Sequence, residues 1–156
     1  PHASGIDCDR RVVEDVLIAT DTAFLRDRRY TQLSGGEKQR VQLARAVAQV
    51  WRAEDAPCRL LLLDEPSSAL DLPHQRMVLD LVTKLSDTGC AVIISSHDFN
   101  LLSPRCDHLL VLQGGHQHSF GTPEQVLNRA MFAEVFGVDV LMQKHPQRQT
   151  PLVIPL

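Results

Sequence analysis

The sequence predicts an α/β fold in which helices flank a mostly parallel sheet. Two short apolar runs, 60–64 and 91–95, read as buried strands, and the stretch between them, 72–85, repeats apolar residues at helical spacing. Strand, crossover helix and strand make one βαβ unit, whose ligands sit beyond the carboxyl ends of the strands. Asp64, Glu65 and His97 stand at those ends.

Composition supports one folded domain: of 156 residues, 44% are hydrophobic and 22% charged, far from the balance of a disordered or fibrous chain. Lys and Arg number 16 against 19 Asp and Glu, a net charge of -3, so the basic field that draws proteins to nucleic acid is missing and no nucleic-acid partner is expected. No apolar run approaches the roughly 20 residues that cross a bilayer, and the start has no signal-peptide pattern, which predicts a soluble, cytoplasmic chain. Cysteines at positions 8, 58, 90 and 106 are too widely spaced for a paired metal or redox motif and read as reduced, isolated thiols. The chain opens at Pro1 and its first methionine is Met77, which predicts the back part of a longer polypeptide.

The elements follow in order. Over 10–25, Val13, Val16, Leu17 and Thr20 share one helical face, and a basic connector, 26–30, follows. In Leu33-Ser34-Gly35-Gly36-Glu37, a serine followed three residues later by a glutamate is the sequence form of a capping box, opening a helix to about Val50. That helix carries two apolar stripes, Val41, Ala44 and Ala48 on one and Leu43, Val47 and Val50 on the other. A polar connector, 51–59, leads to the first strand, expected to be buried on both faces. Gly89 ends the crossover helix. Leu109–Leu112 and Gln117–Phe120 read as strands around a Gly114-Gly115 turn, and Thr122, Pro123 and Gln125 cap a short helix. The end, from His145, is polar and proline-punctuated before Leu152, Val153 and Ile154.

Three groups carry chemistry. A helix N-terminus behind two glycines offers free N–H groups and partial positive charge, and Ser34 adds a hydroxyl, a combination that holds phosphate. The same residues also suit an ordinary capped helix. Asp64 and Glu65 close a strand of leucines, where adjacent carboxylates are costly unless paired, metal-bound or solvated. Asp64 suits Mg²⁺, directly or through water, and Glu65 suits deprotonation of an attacking water, although a strand end reaching solvent accounts for the pair equally well. His97, after Ser95 and Ser96, could donate to a transferring phosphate or stand as a solvated histidine.

Together, and in this order, these residues resemble the nucleotide-binding subunit of ABC transporters. Leu33 to Glu37 matches that family's signature, and Lys38-Gln39-Arg40 and Leu43-Ala44-Arg45-Ala46 continue the pattern. Leu60 to Asp64 is similar to its Walker B strand, Glu65 to its catalytic glutamate, Ser68-Ala69-Leu70-Asp71 to its D-loop and His97 to its switch histidine. The resemblance, running from about Val13 to Gly137, implies a P-loop NTPase-like ABC ATPase domain with a helical signature subdomain. It divides the chain into a signature segment (6–50), a core from Walker B to the switch histidine (60–113), and a C-terminal hairpin and helices (114–156). ATP and Mg²⁺ are the implied ligands. The resemblance further implies a head-to-tail dimer in which Ser34, Gly35, Gly36 and Glu37 meet nucleotide held mainly by the second copy, while Asp71 couples the two sites. Transmembrane permease subunits, and a periplasmic binding protein indirectly, are the implied partners. The implied location is the cytoplasmic face of a bacterial inner membrane, held peripherally.

The departure is the Gly-x-x-x-x-Gly-Lys-Ser/Thr loop, which occurs nowhere in the sequence. The family's adenine-stacking aromatic and Q-loop are missing with it. All three precede the signature in that family, so truncation is the expected reason, and the 156 residues alone are expected to bind ATP weakly and hydrolyse it negligibly. Leu70-Asp71-Leu72 with His74-Gln75, the long connector before Leu60, and the Pro-rich end are similar to haem-import ATPases of bacteria, within the iron-chelate and cobalamin importer group. Ser95-Ser96-His97-Asp98 followed by Asn100 is equally similar to the cobalamin-import ATPase, and a siderophore remains a third cargo. A soluble ABC ATPase and a non-catalytic module that keeps only the signature half are the readings from other classes. His116 and His118 alternate on a hairpin and share a face by geometry alone.

Overall fold

In the computed structural model, which describes residues 5–52, 56, 58–148 and 150–156, the chain divides into two units, 1–96 and 97–156. The first opens with helix α1, Gly5–Ala19, which buries Val16 and stops where the Thr20 hydroxyl turns back to the Val16 carbonyl at 2.8 Å. Asp21, at φ 49°, then reverses the chain, and the buried Thr20 and Thr22 hydroxyls bond each other at 2.9 Å. Val13, expected on the buried face, is half exposed at 50%: the helix meets the core through Val16.

Helix α2, Gly35–Ala48, is opened by the expected capping box and buries Leu43, Ala44 and Val47. It ends two residues short of the expected Val50. Strand β1, Arg59–Asp64, runs parallel to β2, Cys90–Ser95, with Leu61 opposite Val92 and Asp64 opposite Ser95. Between them lies helix α3, Leu72–Asp87, which buries Val78, Leu79, Leu81, Val82 and Leu85. The βαβ unit is therefore present, and α2, α3 and the inward residues of β1 share one core.

The expectation that β1 is buried on both faces is corrected. Leu61 and Leu63 face the core, whereas Leu60, Leu62 and Ile93 are 51%, 64% and 59% exposed, because the helices of this unit pack on one face of the two-stranded sheet. Arg59, one residue before the expected strand start, is buried, and both terminal nitrogens of its guanidinium are hydrogen-bonded. Its Nη1 donates to the Val50 carbonyl at 2.7 Å and its Nη2 to the Thr88 hydroxyl at 3.1 Å and the Thr88 carbonyl. A cation placed where α2 and α3 end meets the negative ends of both helices.

The second unit contains a short helix α4, Phe99–Leu102, and strands β3, Leu109–Gln113, and β4, His116–Gly121, paired antiparallel. Gly114 and Gly115 turn the hairpin at φ 57° and 80°, the paired left-handed geometry that favours glycine. Helix α5, Pro123–Val126, begins where the Thr122 N–H donates to Gln125 Oε1 at 3.0 Å. Helix α6, Arg129–Met131, runs into a wider turn, Phe132–Phe136, ended by Gly137 at φ 66°. Strands β5, Val140–Lys144, and β6, Pro151–Pro155, form a second antiparallel hairpin, where the sequence marks only a polar, proline-punctuated stretch before the apolar Leu152, Val153 and Ile154. Asn100 ties β6 to α4: its Nδ2 donates to the Val153 carbonyl and its Oδ1 accepts the Val153 N–H, both at 2.8 Å. Among the described residues no helix is long and apolar enough to cross a membrane.

Candidate functional site

The site residues of the first unit lie on two short turns, 33–37 and 64–71. In the first, Leu33 anchors the chain in the protein interior and Ser34 takes the extended geometry of a helix cap, φ -64° and ψ 169°. The Glu37 N–H donates to Ser34 Oγ at 3.3 Å, and the Ser34 N–H donates to Glu37 Oε2 at 2.7 Å. The serine hydroxyl accepts in this box, so its own hydrogen is free to donate outward. Glu37 spends its carboxylate on the turn itself and on Arg28, 3.7 Å away. Accepting the Ser34 N–H holds its carboxyl below its ordinary value. At Gly35 an added Cβ would meet nothing within 4 Å, whereas at Gly36 it would stand 3.3 Å from the Ala69 carbonyl oxygen. The first turn of α2 is open on one side and pressed against the second turn on the other.

The second turn begins at the end of β1. The Ser95 hydroxyl donates to Asp64 Oδ1, and the Asp64 side chain is exposed. Glu65 follows at φ 45°, a left-handed geometry rare for a residue with a side chain and rarer still before a proline, here Pro66. Its N–H donates to the Ser95 carbonyl at 3.1 Å and to the Ser95 hydroxyl at 3.2 Å. The chain then folds tightly, with the Ser68 N–H donating to the Glu65 carbonyl at 3.3 Å and the Leu70 N–H to the Ser67 carbonyl at 3.2 Å. Asp71 caps α3 by accepting the His74 N–H at 3.1 Å, and the His74 ring spans Asp71 (Nδ1, 2.5 Å) and Asp21 (Nε2, 3.2 Å). The His74 N–H first, then its ring, and the nearby Arg40 hold the Asp71 carboxyl below its usual range.

The first turn, with Ser34, Gly35, Gly36 and Glu37, is thus brought through Gly36 against the turn that opens at Asp64 and carries Glu65 and Asp71. His97 is exposed and opens the second unit. Sequence reasoning missed Gln39, whose side chain ties helix α2 to both ends of the turn 65–69, and Ser95, which bonds the Asp64 carboxylate and the Glu65 N–H. In the sequence Gln39 stands only within Lys38-Gln39-Arg40, as a continuation of the signature pattern with no role of its own. Among the described residues no group of three or more His, Cys, Asp or Glu side chains is arranged to hold a metal ion. A Mg²⁺ carried mainly by nucleotide phosphates and water needs only one or two carboxylates, and exposed Asp64 fits that donor set.

Residues 7–68 match the family model described as ABC transporter. Over 154 residues the chain is 50% identical to the hemin import ATP-binding protein HmuV of Pseudomonas entomophila (strain L48), covering 99% of this chain and 60% of that protein. It is 42% identical over 158 residues to the HmuV of Gloeobacter violaceus, covering 100% of this chain and 58% of that one. The chain therefore spans about 60% of the length of the curated relatives it matches. Its fold is similar to that of a metal-chelate type ABC transporter solved in an inward-facing conformation, with a TM-score of 0.74 and 29% identity, covering 100% of this chain and 60% of that one. A dimeric structure of a bacterial ABC transporter cassette matches with a TM-score of 0.64 at 26% identity, over 78% of this chain and 50% of that one.

Proposed function

We propose, for a chain that carries part of an ABC transporter ATPase domain, that its residues serve an ATP-hydrolysing subunit that drives bacterial haem uptake. The observation that carries this reading is the joining of the Ser34 turn and the Glu65 turn into one framework, in a chain 50% identical to a hemin import ATP-binding protein.

The Ser34 hydroxyl and the first N–H groups of α2 donate to the γ-phosphate of a nucleotide held mainly by a second copy of the subunit, where the helix dipole favours negative charge. Glu65 accepts a proton from the attacking water, and the strained backbone beneath it fixes where its carboxylate points. Asp64 would hold Mg²⁺, which neutralises charge on the phosphates when bound. His97 donates to the transferring phosphate, and Asp71 passes the state of one site to the other. ATP binding closes the dimer and hydrolysis reopens it, moving transmembrane permease subunits between inward- and outward-facing states at the cytoplasmic face of the membrane. A periplasmic binding protein delivers cargo to the permease and does not touch this chain. The 156 residues alone contain no Gly-x-x-x-x-Gly-Lys-Ser/Thr loop and hydrolyse ATP negligibly.

The test is ATP turnover and haem uptake by the complete subunit assembled with its permease in vesicles. Glu65→Gln is expected to lower both by about 100-fold or more while ATP still binds. Unchanged turnover removes Glu65 from the reaction, and turnover without haem uptake removes haem as the cargo.

A further inference from the structure

We propose that Gln39 is a positioning residue for hydrolysis: its one side-chain amide fixes the turn that aims Glu65 and ties that turn to the helix whose N-terminus carries Ser34. The proposal rests on the reading of Glu65 as general base.

Gln39 Nε2 donates to the Glu65 carbonyl at 2.7 Å, and Gln39 Oε1 accepts the Ala69 N–H at 3.1 Å. Donor and acceptor are both used, so the orientation of the amide is determined and a single side chain closes both ends of the turn 65–69. The backbone of Glu65, at φ 45°, is gripped from two sides. Ser95 on β2 takes its N–H, and Gln39 on α2 bonds its carbonyl. The Ser68 hydroxyl, which reaches the same carbonyl at 3.1 Å, belongs to the turn and moves with it. Gln39 is therefore a group on another element that resists relaxation of this carbonyl out of the left-handed geometry. It sits five residues beyond Ser34 on α2, and the close approach of the Ala69 carbonyl to Gly36 makes the contact continuous. A strained backbone persists where its surroundings over-determine it, and releasing one hold lets the carboxylate swing away from the attacking water.

The experiment measures steady-state ATPase of the complete subunit assembled with its permease, for Gln39→Met, Gln39→Glu, Glu65→Gln and the double variant Gln39→Met/Glu65→Gln. Gln39→Met keeps length and bulk but removes both bonds. Gln39→Glu keeps the acceptor for Ala69 and turns a carboxylate toward the Glu65 carbonyl. Both are expected to lower kcat by about 10- to 100-fold with KM for ATP within about twofold of wild type. Gln39→Met is expected to add no further loss in the Glu65→Gln background, because a residue acting through Glu65 has nothing left to position. A kcat within about twofold of wild type in both single variants overturns the proposal, as does a KM that rises in step with the loss or a double variant whose losses multiply. Turnover that survives Glu65→Gln overturns the reading of Glu65 itself, and the positioning role with it. Should Gln39→Met fail to fold, the charged variant alone decides by the same kcat and KM criteria.

Discussion

Asp71 illustrates how a single side chain in this protein is spent on local structure before any partner arrives. It caps α3 and meets the His74 ring, and these contacts lower its carboxyl below the ordinary 3.8, as the Ser34 N–H lowers Glu37 below 4.5. A carboxyl whose folded value lies below its unfolded one stabilises the fold fully above the unfolded value. That contribution fades as pH falls through the folded value. Acidification from about pH 6 to about pH 3 is therefore expected to lower the urea midpoint of unfolding, and Asp71→Asn should show a shallower loss. Asparagine caps helices nearly as well as aspartate, so the difference isolates the charge. An acid slope identical in the two proteins removes Asp71 from the linkage.

At the scale of elements, α3 carries the core of the first unit. Leu81 is 4% exposed among β1, β2 and α2 side chains, whereas Leu72, in the first turn of the same helix, is 80% exposed. Leu81→Ala is expected to cost about 2–5 kcal/mol, against less than about 0.5 kcal/mol for Leu72→Ala, read by urea unfolding. Comparable losses at both positions would mean that this burial pattern does not describe the folded chain. The strand, crossover helix and strand around this core were legible because each is written in contiguous residues. So were the Ser34 box, the glycine turn at 114–115 and the cap at Thr122. The hairpin of β5 and β6 was not, because its strands are recognised only by each other and by Asn100, 53 positions from Val153. The candidate site divides the same way. Ser34, Asp64 and Glu65 are picked out by local spacing and Asp71 by its place in a contiguous motif similar to the D-loop, but Gln39 owes its bond to a partner 26 positions away, and nothing in the residues beside it announces that bond.

At the scale of the whole molecule, the open face of β1 and β2 decides how these 156 residues behave alone in water. Parallel sheets ordinarily have both faces covered, and here Leu60, Leu62 and Ile93 stand side by side on a solvent-facing surface while the opposite face is filled by helices. Contiguous apolar area of this kind drives association, and it does so without contributing to the stability of the fold that displays it. The isolated chain is therefore expected to bind the dye ANS and to sediment as more than a monomer at micromolar concentration. Leu60→Thr with Leu62→Thr should lower both signals and leave the thermal midpoint within a few degrees, since threonine suits a strand and the replaced side chains are more than half exposed. A midpoint that collapses in the double variant would place these leucines in a packed interior, and dye binding that persists unchanged would locate the adhesive surface elsewhere on the chain.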